Sequence, residues 1–179
     1  MEVERKYRVN PDTFDPIMFH VAHVREMLQT YLAVSDTAEI RVRKDVDTTS
    51  KKTTYLYTEK GEGSLARPEH NQEISEAQYL ALRAKGTVGN HIHKLRHTVE
   101  VEGIVAEIDV YSQQLEGLIV LEIEFNEGSL DERIDQATNF TLPELLQNII
   151  VEDITEDDRY KNKNLIHHTS ISDIIEQER

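Results

Sequence analysis

Glu2-Val3-Glu4-Arg5-Lys6 (EVERK) follows directly on Met1. Successive side chains of a strand point to opposite faces, so residues 2, 4 and 6 share one face, and all three are charged. An ordinary strand puts apolar residues on the face it buries; this face is either wet or lines something. The same pattern returns along the chain. In a segment read as extended from Tyr31 to Lys44, Glu39, Arg41 and Arg43 fall on one side and Ile40 and Val42 on the other. Lys94 and Arg96 share a face in HIHKLRHTVEV, Glu107 and Asp109 in IVAEIDVY, and Glu122 and Glu124 in LIVLEIEF.

These charges are sorted by strand. Arg41 with Arg43 and Lys94 with Arg96 are basic pairs; Glu2 with Glu4, Glu107 with Asp109 and Glu122 with Glu124 are acidic ones. A soluble sandwich would turn its alternating polar face outward. Solvent-facing strands tend to mix signs, however, because like charges opposite one another destabilise the pair. With hairpin-length connections between the strands, the sorting favours an antiparallel sheet closed into a barrel, with apolar residues and helices packed outside and a wet interior. The expected fold class is therefore α+β, a tunnel with a basic wall and an acidic wall.

The remaining segments fill in around it. Asp15 to Leu28 reads as a first helix, Asp45 to Thr54 as a polar hairpin loop and Tyr55 to Lys60 as a strand. GEGSLARPEHNQEI carries glycine and proline punctuation before another extended piece and holds Arg67 and Glu69. Ser75 with Gln78 forms a capping-box signature for a helix to about Lys85, with Tyr79 and Leu82 facing inward. Ser129 with Glu132 opens another to about Asn139, and Thr141, Pro143 and LLQNII suggest one more. The end reads as a strand or turn around Arg159 to Lys163 and then a tail. The expected organisation is one domain over residues 1–165 with a tail at 166–179, helical or frayed.

Composition excludes several function classes. With 179 residues and 38% hydrophobic content the chain is long enough to bury a core. It has no cysteine, so any metal must be held by oxygen or imidazole. A formal net charge of -14 opposes binding to nucleic acid or an anionic membrane. No apolar run approaches membrane-spanning length, and the strand pattern starts straight after Met1; the expectation is a cytoplasmic protein without a signal peptide. The eight histidines, His91 with His93 and His20 with His23 among them, have no second ligand cluster beside them and read as surface residues.

Clustered carboxylates without cysteine suit hard cations such as Mg²⁺ or Mn²⁺, which take a few carboxylates plus water and substrate oxygens. So many acids side by side stay ionised only with cations among them. Arginine grips phosphate oxygens bidentately and lysine as a point charge, so a cation-bridged polyphosphate fits both walls.

EVERK resembles the ExExK motif of the CYTH superfamily, the triphosphate tunnel metalloenzymes, whose members include class IV adenylyl cyclases, thiamine triphosphatases and inorganic triphosphatases. It is followed in order by EIRVR, EKGEGSLARPE, KLR, EID, LEIEF and DDRYKN, which resemble the family's successive strands to about residue 165. The resemblance implies an eight-stranded antiparallel barrel whose tunnel holds a triphosphate and Mg²⁺ or Mn²⁺. By motif position it implies metal-binding roles for Glu2, Glu4, Glu122 and Glu124, with Asp109 beside Glu107 assisting as a further donor. Lys6, Arg41, Arg43, Lys60, Arg67, Lys94, Arg96, Arg159 and Lys163 resemble the phosphate-binding bases. Glu4, Lys6, Glu122 and Glu124 are then the catalytic candidates, Lys6 either as a base toward water or as a phosphate holder.

Many relatives carry RxExE after the glycine-rich turn, whereas this chain reads Arg67, Pro68, Glu69, His70, Asn71, an amide in place of the second acid. The reading favoured on this resemblance is metal-dependent hydrolysis of inorganic triphosphate. The alternatives are an adenylyl cyclase, which needs an adenine pocket, and a polyphosphate or nucleotide sensor without turnover. The substrate is a small triphosphate in each case, and the sequence is compatible with a monomer or a homodimer.

Overall fold

Period-two alternation becomes strand along nearly the whole computed structural model, which describes residues 1–175. The strands are β1 (Glu2–Val9), β2 (His20–Val34), β3 (Glu39–Asp47), β4 (Thr53–Lys60), β5 (Ala66–Arg67), β6 (Glu69–Ile74), β7 (Ile92–Val101), β8 (Ile104–Tyr111), β9 (Ile119–Glu124) and β10 (Ile150–Asp153). All pairings are antiparallel, in the order β10-β1-β9-β8-β7-β2-β3-β4-β6, with β5 on β1.

Closure falls at Pro68. β5 pairs with β1 (Glu2 opposite Arg67), and β6, one residue later, pairs with β4 (Lys60 opposite Glu69). Proline has no N–H to give a ladder, so it sits where the run leaves one partner for the other. Taken as one broken strand, β5 and β6 complete a nearly closed barrel of eight strands, with the short β10 added beside the far half of β1. The sheet order also turns the sorting of charges into walls: β8, β9 and β1 are consecutive and carry the acids, while β7, β2, β3 and β4 follow one another with the bases.

Two apolar clusters hold the barrel. Val3, Tyr7, Ile108, Leu121 and Ile123, the outward residues of β1, β8 and β9, pack with Ala137 and Leu146 from helices outside. One of those helices, α2 (Leu130–Asn139), starts with the capping box of Ser129 and Glu132 that its sequence announced. Arg5, on the outward face of β1, donates Nη1 to Ala137 O at 3.2 Å and to Phe140 O at 3.3 Å, satisfying carbonyls where α2 ends. The helix α1 (Glu76–Ala84) likewise has its Ser75–Gln78 capping box, with Tyr79 buried and Leu82 half-buried.

The second cluster lies at one end of the bore. Tyr31, Ile92, Tyr111 and Val120 alternate in phase with the charged inward residues, but they pack against Ile154, Tyr160, Leu165, Ile166 and Ile174. The chain after β10, including the short helices α3 (Asn162–Leu165) and α4 (Ser172–Ile175), thus puts an apolar floor under the tunnel. The expected tail begins inside this cluster, since Ile166 and Ile174 are 0% exposed; residues 176–179 lie outside the described region. Among the described residues no helix is long and apolar enough to cross a membrane.

Two expectations are corrected. Asp15 to Leu28 is not a helix: after a single 3-10 turn at Pro16–Met18 the chain enters β2, which runs 15 residues. The register of β2 against β7 shifts between Val21 and His23, and from His23 on both faces of the strand mix polar and apolar residues, so no clean alternation marks it. Tyr31 to Lys44 is not one extended segment either. Ser35–Ala38 forms a turn closed by Ser35 N donating to Ala38 O at 2.8 Å, with β2 before it and β3 after.

Candidate functional site

The acidic wall divides in two. Glu2, Glu4 and Glu124 each offer an oxygen within 4.8 Å of the others, the one such group of acids or histidines among the described residues. Glu4 is 3% exposed, and its Oε1, 3.2 Å from Lys6 Nζ, accepts no hydrogen bond of good geometry. Burial, and after it the carboxylates of Glu107, Glu2 and Glu122, push the Glu124 carboxyl above its ordinary value against the pull of the Asn126 amide. Three converging carboxylates, one with an unused buried oxygen and one raised by crowding, make a hard-oxygen donor set that fits Mg²⁺ or Mn²⁺.

Deeper acids are already matched by bases. Asp109 is fully buried and accepts from Arg96 Nε at 2.6 Å, from Arg96 Nη2 at 2.7 Å and from Lys94. Glu122 accepts from Lys6 Nζ at 2.8 Å and from Arg96 Nη2 at 2.6 Å. Although burial alone would raise both carboxyls, these cations hold them below their ordinary values, Glu122 far below. Asp109 and Glu122, expected among the metal ligands, are therefore counter-charges to Lys6, Lys94 and Arg96 and stand apart from the converging trio. Much of the acidic wall is neutralised by the basic one.

Lys6 is buried, which would lower its pKa, but Glu122 and Glu4 outweigh burial and raise it above the ordinary lysine value. Lys94 is pushed the other way, down to about 8, by burial and by Arg96 against the pull of Asp109.

The basic wall has N–H groups to spare. Arg41, 5% exposed, donates Nη1 to Gln29 Oε1 at 3.3 Å, yet its Nε is buried without a partner, as is that of Arg43. Burial, then Arg41, Arg96 and Arg25 nearby, push Arg43 down to about 10 despite Asp45 at 3.1 Å. Lys60 sits between Glu2 at 2.8 Å and Glu69 at 2.5 Å. Arg67 approaches Glu2 at 3.4 Å and Glu4 at 3.6 Å. The loop before it is fixed by Gly63, at φ +139°, where a Cβ would stand 2.2 Å from Ala66 O. These side chains surround a cavity of about 220 Å³.

Two expected phosphate binders are elsewhere. Arg159 forks onto Asp157, with Nη2 2.6 Å from Oδ2, and donates Nη1 to Ile174 O at 3.3 Å. Lys163 donates to Ser35 O at 3.2 Å and Asp36 O at 3.3 Å at the surface. Neither lines the bore, although Asn162 between them does. Asn71 does line it: its Oδ1 accepts from Thr58 Oγ1 at 2.7 Å and its amide donates to Glu69, so it orients the acid that grips Lys60. His91 accepts or donates at 2.9 Å to Thr30 Oγ1, on the outer side.

Sequence reading missed Arg25, Gln29 and Asp45. Arg25 was hidden by the helical reading to Leu28 and Gln29 by the mixed faces of β2; Asp45 was assigned to a loop but is the next inward residue of β3 after Arg43, 5% exposed. Continuing the period of Glu39, Arg41 and Arg43 by one step reaches Asp45.

The antiparallel barrel thus brings a trio of carboxylates and the guanidiniums of Arg41 and Arg43 to one cavity. The chain belongs to the CYTH family: the model of the CYTH domain matches residues 1–159. It is 34% identical over 166 residues to an inorganic triphosphatase of Nitrosomonas europaea, covering 92% of this chain and 95% of that protein. An inorganic triphosphatase of Acetivibrio thermocellus is 26% identical over 165 residues, covering 92% of each. Among solved structures, the PH1819 protein from Pyrococcus horikoshii OT3 has the same fold, with a TM-score of 0.66 at 21% identity over 86% of this chain and 92% of that one.

Proposed function

We propose that the protein is a metal-dependent triphosphatase that hydrolyses inorganic triphosphate to pyrophosphate and phosphate. The observation that carries this reading is that Arg41 and Arg43, whose Nε atoms are buried without a hydrogen bond, line one cavity with the carboxylate trio. Buried donors left without acceptors cost about 1–3 kcal/mol each, a cost that bound phosphate oxygens would remove. Leu56 is the one apolar side chain in the lining, which supports an inorganic chain over a nucleoside; the relatives named as inorganic triphosphatases point the same way.

Phosphoryl transfer asks mainly for positioning and charge neutralisation. Arg41, Arg43, Lys60 and Arg67 would bind the phosphate oxygens, and protonated Lys6 would hold another without acting as base. A divalent cation held by Glu2, Glu4 and Glu124 would supply Lewis acidity at the phosphoryl group. Water attacks the terminal phosphorus, the P–O bond to the bridging oxygen breaks, and its electron pair leaves with pyrophosphate. The apolar floor closes one end, so substrate enters and products leave through the open mouth.

The test is to incubate the protein with Mg²⁺ or Mn²⁺ and, separately, tripolyphosphate, ATP and thiamine triphosphate, and to resolve the products. Phosphate released chiefly from tripolyphosphate is the expected outcome; cyclic AMP with pyrophosphate from ATP would replace the reading with a cyclase, and tight binding without turnover with a sensor. Glu4→Gln and Glu124→Gln should each abolish metal-dependent turnover and weaken Mn²⁺ binding, with unchanged circular dichroism.

A further inference from the structure

The basic flank holds one cation that none of the sequence motifs contains. Arg25 lines the bore and is the outermost member of the inward run Arg25, Met27, Gln29, Tyr31, which descends β2 to the apolar floor. Its guanidinium is loosely held: Nη2 is 3.3 Å from Glu107 Oε1 and Nη1 is 3.8 Å from Asp45 Oδ2. Arg96, opposite it in the ladder, is committed to Asp109, Glu122 and Glu107. An arginine gripped on three sides must give up strong charge-assisted bonds before it takes a ligand, whereas one held by two long contacts need not.

Position strengthens the case. β3 supplies Arg41 and Arg43 and then, at its next inward place, Asp45, which interrupts the positive row. Arg25 on the neighbouring strand resumes it. Exposure rises along that row, from 5% for Arg41 to 13% for the Arg43 side chain and 34% for that of Arg25. Asp45, between the last two, is a positioning residue: its Oδ2 contacts both guanidiniums, and its Oδ1 is buried without a hydrogen bond.

We propose that Arg25 is a substrate-binding residue that grips the phosphoryl group nearest the mouth, and that it makes the site prefer a chain of three phosphoryl groups to one of two. The inference rests on the triphosphatase reading and names what sets its chain length. Pyrophosphate seated on Arg41 and Arg43 has no third group to offer Arg25; tripolyphosphate has.

Calorimetric titration of the wild type, Arg25→Gln and Arg25→Lys with tripolyphosphate and with pyrophosphate, in EDTA to exclude turnover, tests this, alongside steady-state kinetics with metal and thermal melts. Losing a charge-assisted contact at a partly exposed place should weaken tripolyphosphate binding by about tenfold in Arg25→Gln. Pyrophosphate binding should change by less than about twofold, and KM should rise with kcat nearly unchanged. Arg25→Lys should recover part of the affinity, as a point charge without the fork. Equal losses for both anions, a fall in kcat at constant KM, or no change would each overturn the proposal. A wild type that binds tripolyphosphate with an unaffected Arg25→Gln refutes Arg25 alone; a wild type that releases no phosphate from tripolyphosphate with Mg²⁺ or Mn²⁺ refutes the triphosphatase reading and this inference with it.

Discussion

Replacing Asp109 by asparagine separates a counter-charge from a metal ligand. The substitution keeps the shape and removes the charge from a carboxylate that is 0% exposed and accepts from Arg96 at 2.6 and 2.7 Å and from Lys94. Two buried cations then lose an anionic partner, Arg96 one of three and Lys94 the one it contacts among the described residues. Taking one partner from a buried pair costs about 3–5 kcal/mol, and because Glu107 and Glu122 still hold Arg96, the lower end, about 3 kcal/mol, is expected. For a chain of this size that is a melting temperature about 6–12 °C lower. Lys94, already pushed down to about 8, should fall further and be largely neutral at pH 7.5. The assay is thermal unfolding by circular dichroism in EDTA and again with Mn²⁺, with Mn²⁺ affinity measured in parallel. The same loss of stability in both conditions, at unchanged Mn²⁺ affinity, is the expected result. An unchanged melting temperature in EDTA together with weakened Mn²⁺ binding would refute the assignment and return Asp109 to the metal donors.

Three further outcomes follow from the same coordinates. Burial would raise the Asp153 carboxyl, but hydrogen bonds from the Thr155 hydroxyl and backbone and the Arg5 guanidinium hold it below its ordinary value. A depressed carboxyl lends stability that is fully present above its unfolded pKa of about 3.9 and is lost as pH falls through the folded value, so Asp153→Asn should be less stable than wild type at pH 7 and should converge with it as the pH drops through that folded value in pH-dependent urea melts. Leu165→Ala, in the floor at 0% exposure, should lower unfolding free energy by about 2–5 kcal/mol at unchanged urea m-value; a loss under 1 kcal/mol would mean the floor is not packed as described. Gly63→Ala puts a methyl 2.2 Å from Ala66 O and 2.8 Å from Arg67 Cβ, so the loop must shift and carry Arg67 with it. The KM for tripolyphosphate should rise; an unaltered KM would remove Arg67 from the binding set.

Local patterns were legible where they were complete in themselves. The capping boxes at Ser75 and Ser129 need four consecutive residues and a backbone that turns, and both helices begin where those residues stand. EVERK, EIRVR, KLR, EID and LEIEF were readable because a strand writes its two faces at every second position. β2 was not, because both its faces mix polar and apolar residues: Arg25 and Gln29 share one with Met27 and Tyr31, Glu26 and Thr30 the other with Val24 and Leu28. Arg159 and Lys163 failed for another reason: the resemblance of DDRYKN fixed their place along the chain, but the packing of Tyr160, Leu165 and Ile174 beneath the bore decided which way they point.

By itself the sequence determined that charged faces of single sign recur on strands and that helices open at the capping boxes of Ser75 and Ser129. These are properties of residues two to four apart, set by backbone geometry. Only the tertiary structure decided which acids meet bases and which meet one another. Glu4 and Glu124 lie 120 residues apart in sequence yet opposite in the β1–β9 ladder, where they crowd together with Glu2 and Glu124 has no ion pair among the described residues; Asp109 and Glu122 instead face Lys94, Arg96 and Lys6. Coulomb energies depend on distance through space, and closing the sheet sets those distances.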